Sequence, residues 1–159
     1  SCYWFGHGVD VDRSIALEYY KKAERLGSIE ALSEIGDCYW FRRNRENYNT
    51  ALEYYKKAEK LGSVRALAEI GDCYYYEYNS DHSYNTALKY YERAAELGNI
   101  RVLIDLGNCY WLGRGVEKKK STAFKYYKKY IKNNTISVCQ WYSCNRFYFF
   151  LKKIIKQFA

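Results

Sequence analysis

Apolar residues recur along this chain at steps of three and four residues, which is the spacing of one face of an α-helix. In the segment 14–26 that face carries Ala16, Tyr20, Ala23 and Leu26. We predict this helix and its repeats, called B helices, over about 14–26, 49–61, 85–97 and 121–132. A second type, called A helices, is predicted over 29–41, 64–76 and 100–112.

Residues at the ends of the B helices predict where each one starts and stops. Short polar side chains favour the N-cap, and glycine favours the left-handed position just after a helix. The candidate N-caps are Ser14, Asn49, Asn85 and Ser121, with Asp12, Asn47 and Ser83 as competitors two residues earlier. The candidate terminating glycines are Gly27, Gly62 and Gly98.

The two helix types alternate with a nearly constant period. The alanine that opens each "AL" or "AF" pair returns after 35, 36 and 36 residues, at Ala16, Ala51, Ala87 and Ala123. A period in the mid-thirties with two helices per unit indicates an α-helical solenoid, in which each unit buries its apolar face against its neighbours. We therefore predict an all-α fold, an α/α solenoid of antiparallel helix pairs. The B-helix tyrosines at the same step are Tyr20, Tyr55, Tyr91 and Tyr127.

A six-residue string, "IGDCYW", "IGDCYY" and "LGNCYW", occupies the middle of the three A helices. Glycine inside an exposed helix costs about 1 kcal/mol relative to alanine, so its recurrence indicates a helix contact too close for a Cβ atom. We expect Ile35, Gly36 and Tyr39 and their equivalents to form the docking face. The equivalent glycines are Gly71 and Gly107, and the equivalent tyrosines are Tyr74 and Tyr110.

Two stretches carry a family resemblance: "LGNCYWLGRGV" over 106–116 and "YYERAAELG" over 90–98. They resemble the Sel1-like repeat, a branch of the tetratricopeptide superfamily, and the resemblance extends over residues 1 to about 133. The G-x-G-V loop is absent from residues 42–45 and 77–80. The resemblance implies a non-catalytic scaffold or adaptor whose A helices line the concave side. It also implies a role in signalling or in membrane-associated quality control. Together with the cysteine spacing discussed below, this leads us to expect an intracellular protein, in the cytoplasm or in a membrane-associated complex through a partner.

The repeats predict the organisation of the chain. A partial first repeat covers 1–27, two repeats cover 28–62 and 63–98, and a last, degenerate repeat covers 99–133. Residues 134–159 form a tail with an amphipathic helix over 145–158, which we expect to cap the last repeat. A membrane-surface or partner-binding helix and a poorly ordered end are the alternatives. Because the chain starts without methionine and with half an A helix, we expect further repeats or another domain upstream of Ser1.

Acidic residues also recur on the predicted A helices, three residues apart and so on one helix face. Stacked units would align them as a stripe, which predicts a binding surface for a basic or amphipathic segment of a partner protein. Charge complementarity there would steer association and set register. Alternatively, these carboxylates pair with neighbouring lysines or arginines and form a solvated face. The stripe consists of Glu34, Asp37, Glu69, Asp72, Asp105 and Asn108.

The net charge of +8 raises a second functional hypothesis. Lysines concentrate on the B helices, where a nucleic acid or another anionic surface would bind through them and through the basic tail. Pairing with acidic residues one helical turn away predicts an ordinary solvated surface instead. The lysines concerned are Lys21, Lys22, Lys56, Lys57, Lys128 and Lys129.

Cysteine spacing bears on redox state, metals and catalysis. Four of the six cysteines, Cys2, Cys38, Cys73 and Cys109, recur once per repeat. Paired helices lie about 8–10 Å apart, whereas disulfides need Cα atoms within about 7 Å, so we expect small apolar side chains beside the docking face and a reducing compartment. No zinc-ligand spacing, catalytic motif or apolar run of about 20 residues occurs. We therefore expect no metal, no cofactor, no enzymatic activity and no transmembrane segment.

Overall fold

The structure, a computed structural model, describes residues 13–41, 45–77 and 80–134. The chain divides into two compact units, residues 1–78 and 79–159. The described residues form seven α-helices and no strand, which confirms the all-α prediction. The first unit holds α1 (Arg13–Arg25), α2 (Ile29–Trp40), α3 (Arg45–Lys60) and α4 (Val64–Glu77). The second unit holds α5 (Asp81–Glu96), α6 (Val102–Leu112) and α7 (Lys120–Asn134).

The predicted alternation of helix types is confirmed, with α2, α4 and α6 as A helices and α1, α3, α5 and α7 as B helices. The predicted half helix at the start and the capping helix over 145–158 lie outside the described residues. Among the helices described, none is long and apolar enough to cross a membrane.

The predicted N-caps all lie inside their helices. The starts of α1 and α7 are one residue before Ser14 and Ser121, whereas α3 and α5 begin four residues before Asn49 and Asn85. At α5 the reason is a reciprocal capping box one turn upstream. The Ser83 backbone N–H donates to the Ser80 hydroxyl at 3.2 Å, and the Ser80 N–H donates to the Ser83 hydroxyl at 3.0 Å. Two backbone donors that the helix leaves without partners are thereby satisfied, which extends the helix by a turn.

The three B-to-A turns share one geometry. Gly27, Gly62 and Gly98 have φ between 86° and 91°, so glycine sits where other residues would be strained. After each glycine, the next backbone N–H donates to the carbonyl five residues earlier, as Ser28 does to Ala23 at 3.0 Å. This is the Schellman arrangement that the sequence predicts, and it lets an antiparallel helix follow at once.

The core repeats as the period requires. Ala16, Ala51, Ala87 and Ala123 are buried, as are Ile35, Ile70 and Leu106 on the A helices. Leu26 departs from the expected buried face, since this residue is 88% exposed. Because α1 ends at Arg25, Leu26 belongs to the turn and no longer follows the helical face.

The glycines inside the A helices receive tyrosine rings from the B helix that follows. A Cβ atom on Gly36 would lie 2.7 Å from Cδ1 of Tyr55, and one on Gly107 would lie 2.6 Å from Cδ1 of Tyr127. Carbon atoms do not approach this closely without a shift of one partner. The predicted close contact is therefore confirmed at these two positions; Gly71 is buried as well.

Neighbouring tyrosines form a second recurrent contact between A and B helices. The rings of Tyr39 and Tyr54 stack with centroids 5.9 Å apart, and those of Tyr110 and Tyr126 stack at 5.6 Å. The A-helix tyrosines, Tyr74 included, are half-buried. A tyrosine ring suits this position because it buries an apolar face while its hydroxyl reaches water or a polar partner.

The repeated cysteines on the A helices are all buried: Cys38, Cys73 and Cys109. Their predicted role as small apolar side chains is confirmed. Burial, and after it the charge of Asp105, raises the pKa of Cys109 to about 12. This thiol is therefore neutral and poorly nucleophilic at neutral pH. Cys2, Cys139 and Cys144 lie outside the described residues.

Ser33 on α2 provides a test of the packing. Its hydroxyl is buried without a hydrogen-bond partner among the described residues, whereas Ala68 occupies the equivalent place on α4. An unsatisfied buried hydroxyl is destabilising, and alanine is also the better helix former. We expect Ser33→Ala to raise the free energy of unfolding by about 1 kcal/mol in urea titrations. An unchanged or lower value would show that the hydroxyl has a stabilising partner.

Candidate functional site

Three of the predicted stripe residues come together around an arginine. Arg65 at the start of α4 reaches back to α2, with Nη1 at 2.5 Å from Oε1 of Glu34 and Nη2 at 2.5 Å from Oδ2 of Asp37. Its Nε lies 3.6 Å from Oε1 of Glu69 on its own helix. We call Glu34, Asp37, Glu69 and Arg65 the acidic cluster. One guanidinium thus bridges carboxylates on two successive A helices.

Helix geometry explains how the acidic cluster forms. Glu34 and Asp37 are three residues apart on α2, and Arg65 and Glu69 are four apart on α4, so each pair shares a helix face. The Arg65 side chain remains 46% exposed and that of Glu34 remains 27% exposed. Burial lowers the pKa of Arg65, but the hydrogen bond to Glu34 and the charges of the three carboxylates together outweigh burial and hold this pKa above its ordinary value. The cluster is thus accessible from solvent and permanently charged on its cationic side.

Two stripe positions also have a packing role. The hydroxyl of Tyr55 donates to Oδ1 of Asp37 at 2.7 Å, and the hydroxyl of Tyr127 donates to Oδ1 of Asn108 at 2.8 Å. A buried phenol needs such an acceptor, and aspartate and asparagine both offer one. Burial, together with Asp37, keeps the pKa of Tyr55 far above its ordinary value, so its proton remains in this bond. Asp37 and Asn108 therefore each position the tyrosine ring that packs against an A-helix glycine.

Asp72 and Asp105 are stripe residues outside the four side chains that define the acidic cluster. Asp72 follows Glu69 by three residues on α4 and is half-buried. Asp105 lies on α6 of the second unit, three residues before Asn108, and is also half-buried. Tyr20 on α1 adds a neighbour to the cluster, since burial and then Glu34 raise its pKa to about 12.

Arg65 was missing from the sequence prediction, although the sequence contains a signal for it. It stands four residues before Glu69, as Arg101 stands four residues before Asp105. This spacing predicts an ion pair within one helix. The bond to Glu34, 31 residues away, requires the packing of α2 against the following helix pair and is not visible in the local pattern.

The B-helix lysines lie on the surface, where the sequence places them. Lys22, Lys56, Lys57, Lys128 and Lys129 are exposed, and Lys21 is partly exposed. Two of them rest on tyrosine rings of their own helices: Lys22 lies 5.3 Å from the centroid of Tyr19, and Lys57 lies 4.8 Å from that of Tyr54. These cation–π contacts hold the ammonium groups against the helix surface.

Four consecutive segments of the chain match the Sel1 repeat family: residues 1–28, 29–63, 64–99 and 101–134. The matches cover well over half of the sequence and place one A-B helix pair in each full repeat. Sel1 repeats form a non-catalytic scaffold family whose members are generally protein-interaction scaffolds. No curated protein matches the sequence.

Solved structures show the same fold. A Sel1 repeat protein from Oxalobacter formigenes is 28% identical, with a TM-score of 0.65 over 83% of this chain and 54% of that one. The protective antigen c5321 of uropathogenic Escherichia coli, which displays an SLR fold, is 24% identical with a TM-score of 0.66 over 82% of this chain and 28% of that one.

The cysteine-rich protein B (hcpB) of Helicobacter pylori is 24% identical and has a TM-score of 0.55. That match covers 82% of this chain and 94% of hcpB. This chain therefore spans about half of the Oxalobacter structure, a smaller part of the c5321 structure and nearly all of hcpB. From the four repeat matches and the helix pairs that they cover, we conclude that the chain belongs to the Sel1 repeat family.

Proposed function

We propose that this protein is an interaction scaffold whose A helices bind a basic or amphipathic segment of a partner protein at the acidic cluster. Scaffolding through protein interactions is general in the Sel1 repeat family. The location is our own inference, and one observation carries it: the A-helix carboxylates already hold a guanidinium that bridges two successive repeats.

The charges of the acidic cluster favour a cationic partner. Three carboxylates surround one guanidinium, so these four side chains carry a net charge of −2. The carboxylates lie on the face of α2 and α4 that remains partly open to water. A lysine or arginine of a partner would share these oxygens with Arg65 and form charge-assisted hydrogen bonds.

The specificity of such a site would depend more on the partner's charge and on the association rate than on the surface area buried on binding. Complementary charges raise the association rate and penalise partners of the wrong sign. Affinity at the acidic cluster should therefore fall as salt rises, because exposed charges separated by more than about 8–10 Å are screened at physiological ionic strength.

Selection from a displayed peptide library would test this proposal with the full chain as bait. We expect basic peptides, enriched in arginine and lysine, to be selected at this site. Their affinity, measured by fluorescence anisotropy, should fall about tenfold in Glu34→Gln/Glu69→Gln, since the loss of a charged contact is worth on the order of 1–2 kcal/mol. It should rise in Arg65→Met, because that change removes the internal competitor.

The matched control is Glu53→Gln/Glu96→Gln, which removes the same charge from exposed positions on B helices. Circular dichroism would verify that all variants are equally helical. Equal losses in both double variants, or a selection that yields no basic peptide dependent on Glu34 and Glu69, would overturn the proposal. Binding of an oligonucleotide that depends on Lys56, Lys57, Lys128 and Lys129 would favour the anionic-surface alternative.

A further inference from the structure

A cleft of about 370 Å³ opens in the first unit, between the C-terminal end of α3 and the turn that joins α1 to α2. It is lined by Glu24, Gly27, Ser28, Leu32, Lys57, Lys60 and Leu61. We call it the turn cleft. None of these residues belongs to the acidic cluster, so the turn cleft is a separate surface.

The turn cleft has an apolar floor and an exposed leucine in its lining. Leu32 is 5% exposed and packs with Ala58 and Ala66 in a small buried cluster. Leu61 on the edge is 58% exposed, and Leu26 beside the adjoining Gly27 is 88% exposed. Solvent-exposed leucines around an apolar floor are typical of surfaces that receive an amphipathic segment.

An exposed leucine recurs at one position of the B-to-A turns, although the residue before it differs from turn to turn. Leu26, Leu61 and Leu97 each stand directly before the glycine of a B-to-A turn, and all three are more than half exposed. The residue before each leucine is arginine, lysine and glutamate in turn. Neither burial nor the turn geometry of the following glycine requires leucine at this place.

The rim of the turn cleft is basic. Lys57 and Lys60, both on α3, line one side of it, and Glu24 on α1 is the acidic residue of the lining. Tyr54 holds the Lys57 ammonium over its ring at 4.8 Å, which leaves this charge placed beside the apolar floor. An occupant with an apolar side chain and adjacent carboxylates would satisfy both features.

We propose that the turn cleft binds an acidic amphipathic segment of a partner protein, with a bulky apolar side chain on Leu32 and carboxylates on Lys57 and Lys60. Charge opposes the chain's own tail as occupant, because residues 135–159 contain four basic and no acidic residues. The net charge of +8 likewise opposes a second copy of the chain.

A synthetic helical peptide with leucines on one face and glutamates on the other would probe the turn cleft in the full chain. We expect fluorescence anisotropy to show binding that falls about tenfold in Leu61→Ser and in Lys57→Glu/Lys60→Glu, since central contacts of this kind are worth on the order of 1–2 kcal/mol each. Amide NMR signals of Gly27 and Ser28 should shift on titration. A peptide with lysine in place of glutamate should bind weakly at these residues.

The matched controls lie outside the turn cleft: Leu112→Ser, at a similarly exposed leucine, and Lys128→Glu/Lys129→Glu. Glu34→Gln/Glu69→Gln should leave this peptide's affinity unchanged, so the two proposals fail independently. Equal losses in the controls, or NMR shifts confined to other residues, would overturn the inference. The inference would also be overturned if an oligonucleotide displaced the peptide equally well from the native chain and from the Leu61→Ser variant. A dimer of the native chain, detected by sedimentation and dissociated by Leu61→Ser, would overturn it too.

Discussion

Replacing Gly36 with alanine is expected to lower the free energy of unfolding by about 2 kcal/mol. The new methyl group would overlap the ring of Tyr55, and overpacking of this kind costs about 3 kcal/mol, of which the better helix propensity of alanine recovers about 1. The ring has little freedom to move, since it is 1% exposed and its hydroxyl is bonded to Asp37. Urea unfolding followed by circular dichroism would measure the change.

A double-mutant cycle separates the clash from any other effect of the substitution. In a Tyr55→Leu background the ring is absent, so Gly36→Ala should become neutral or stabilising. The same loss in both backgrounds would contradict the proposed contact. Gly107→Ala with Tyr127 provides an independent repetition of the test in the second unit, where the geometry is the same.

Replacing Arg65 with methionine is expected to lower stability by about 1.5 kcal/mol at low ionic strength. Methionine keeps much of the aliphatic stem but leaves the carboxylates of Glu34, Asp37 and Glu69 without their shared cation. Single exposed ion pairs contribute about 0–1 kcal/mol, and a guanidinium that serves three carboxylates exceeds this range. Denaturant unfolding at increasing salt would measure the effect.

Salt distinguishes an electrostatic loss from a packing loss. The difference between Arg65→Met and the native chain should shrink as salt rises, because screening weakens both the lost attraction and the new repulsion. Adding Glu34→Gln to the variant should restore part of the stability. Lys56→Met removes the same charge from an exposed position on α3 and should change stability by less than about 0.5 kcal/mol. A loss that is independent of salt would place the role of Arg65 in packing.

Ser33→Ala and Gly36→Ala test the packing around one helix, α2, with substitutions of opposite expected sign. Ser33→Ala removes a polar atom that packing leaves unsatisfied, whereas Gly36→Ala adds an atom where packing leaves no room. Opposite signs for two small substitutions on one helix would show that α2 is held by specific contacts. A nonspecific hydrophobic interface would tolerate both substitutions equally well.

Several elements of the fold follow from short-range patterns. The helix pairs, the alanines that open the B helices and the Schellman glycines all depend on residues within one or two turns of each other. Spacing in the sequence reflects these contacts directly. The helix starts are less readable, because several polar residues compete and the Ser80–Ser83 capping box outweighs Asn85.

Residue spacing alone predicts the repeat period, the order of the helices and the close helix contacts at Gly36 and Gly107. It does not predict that Arg65 bonds to Glu34 and Asp37, 31 and 28 residues away, or that Leu32, Lys57 and Leu61 line one cleft. These contacts depend on how the helices pack and on how far each side chain extends. A repeating pattern shows which residues occupy equivalent positions. Whether a long side chain reaches a partner on another helix depends on the distance between the packed helices, which the pattern does not contain.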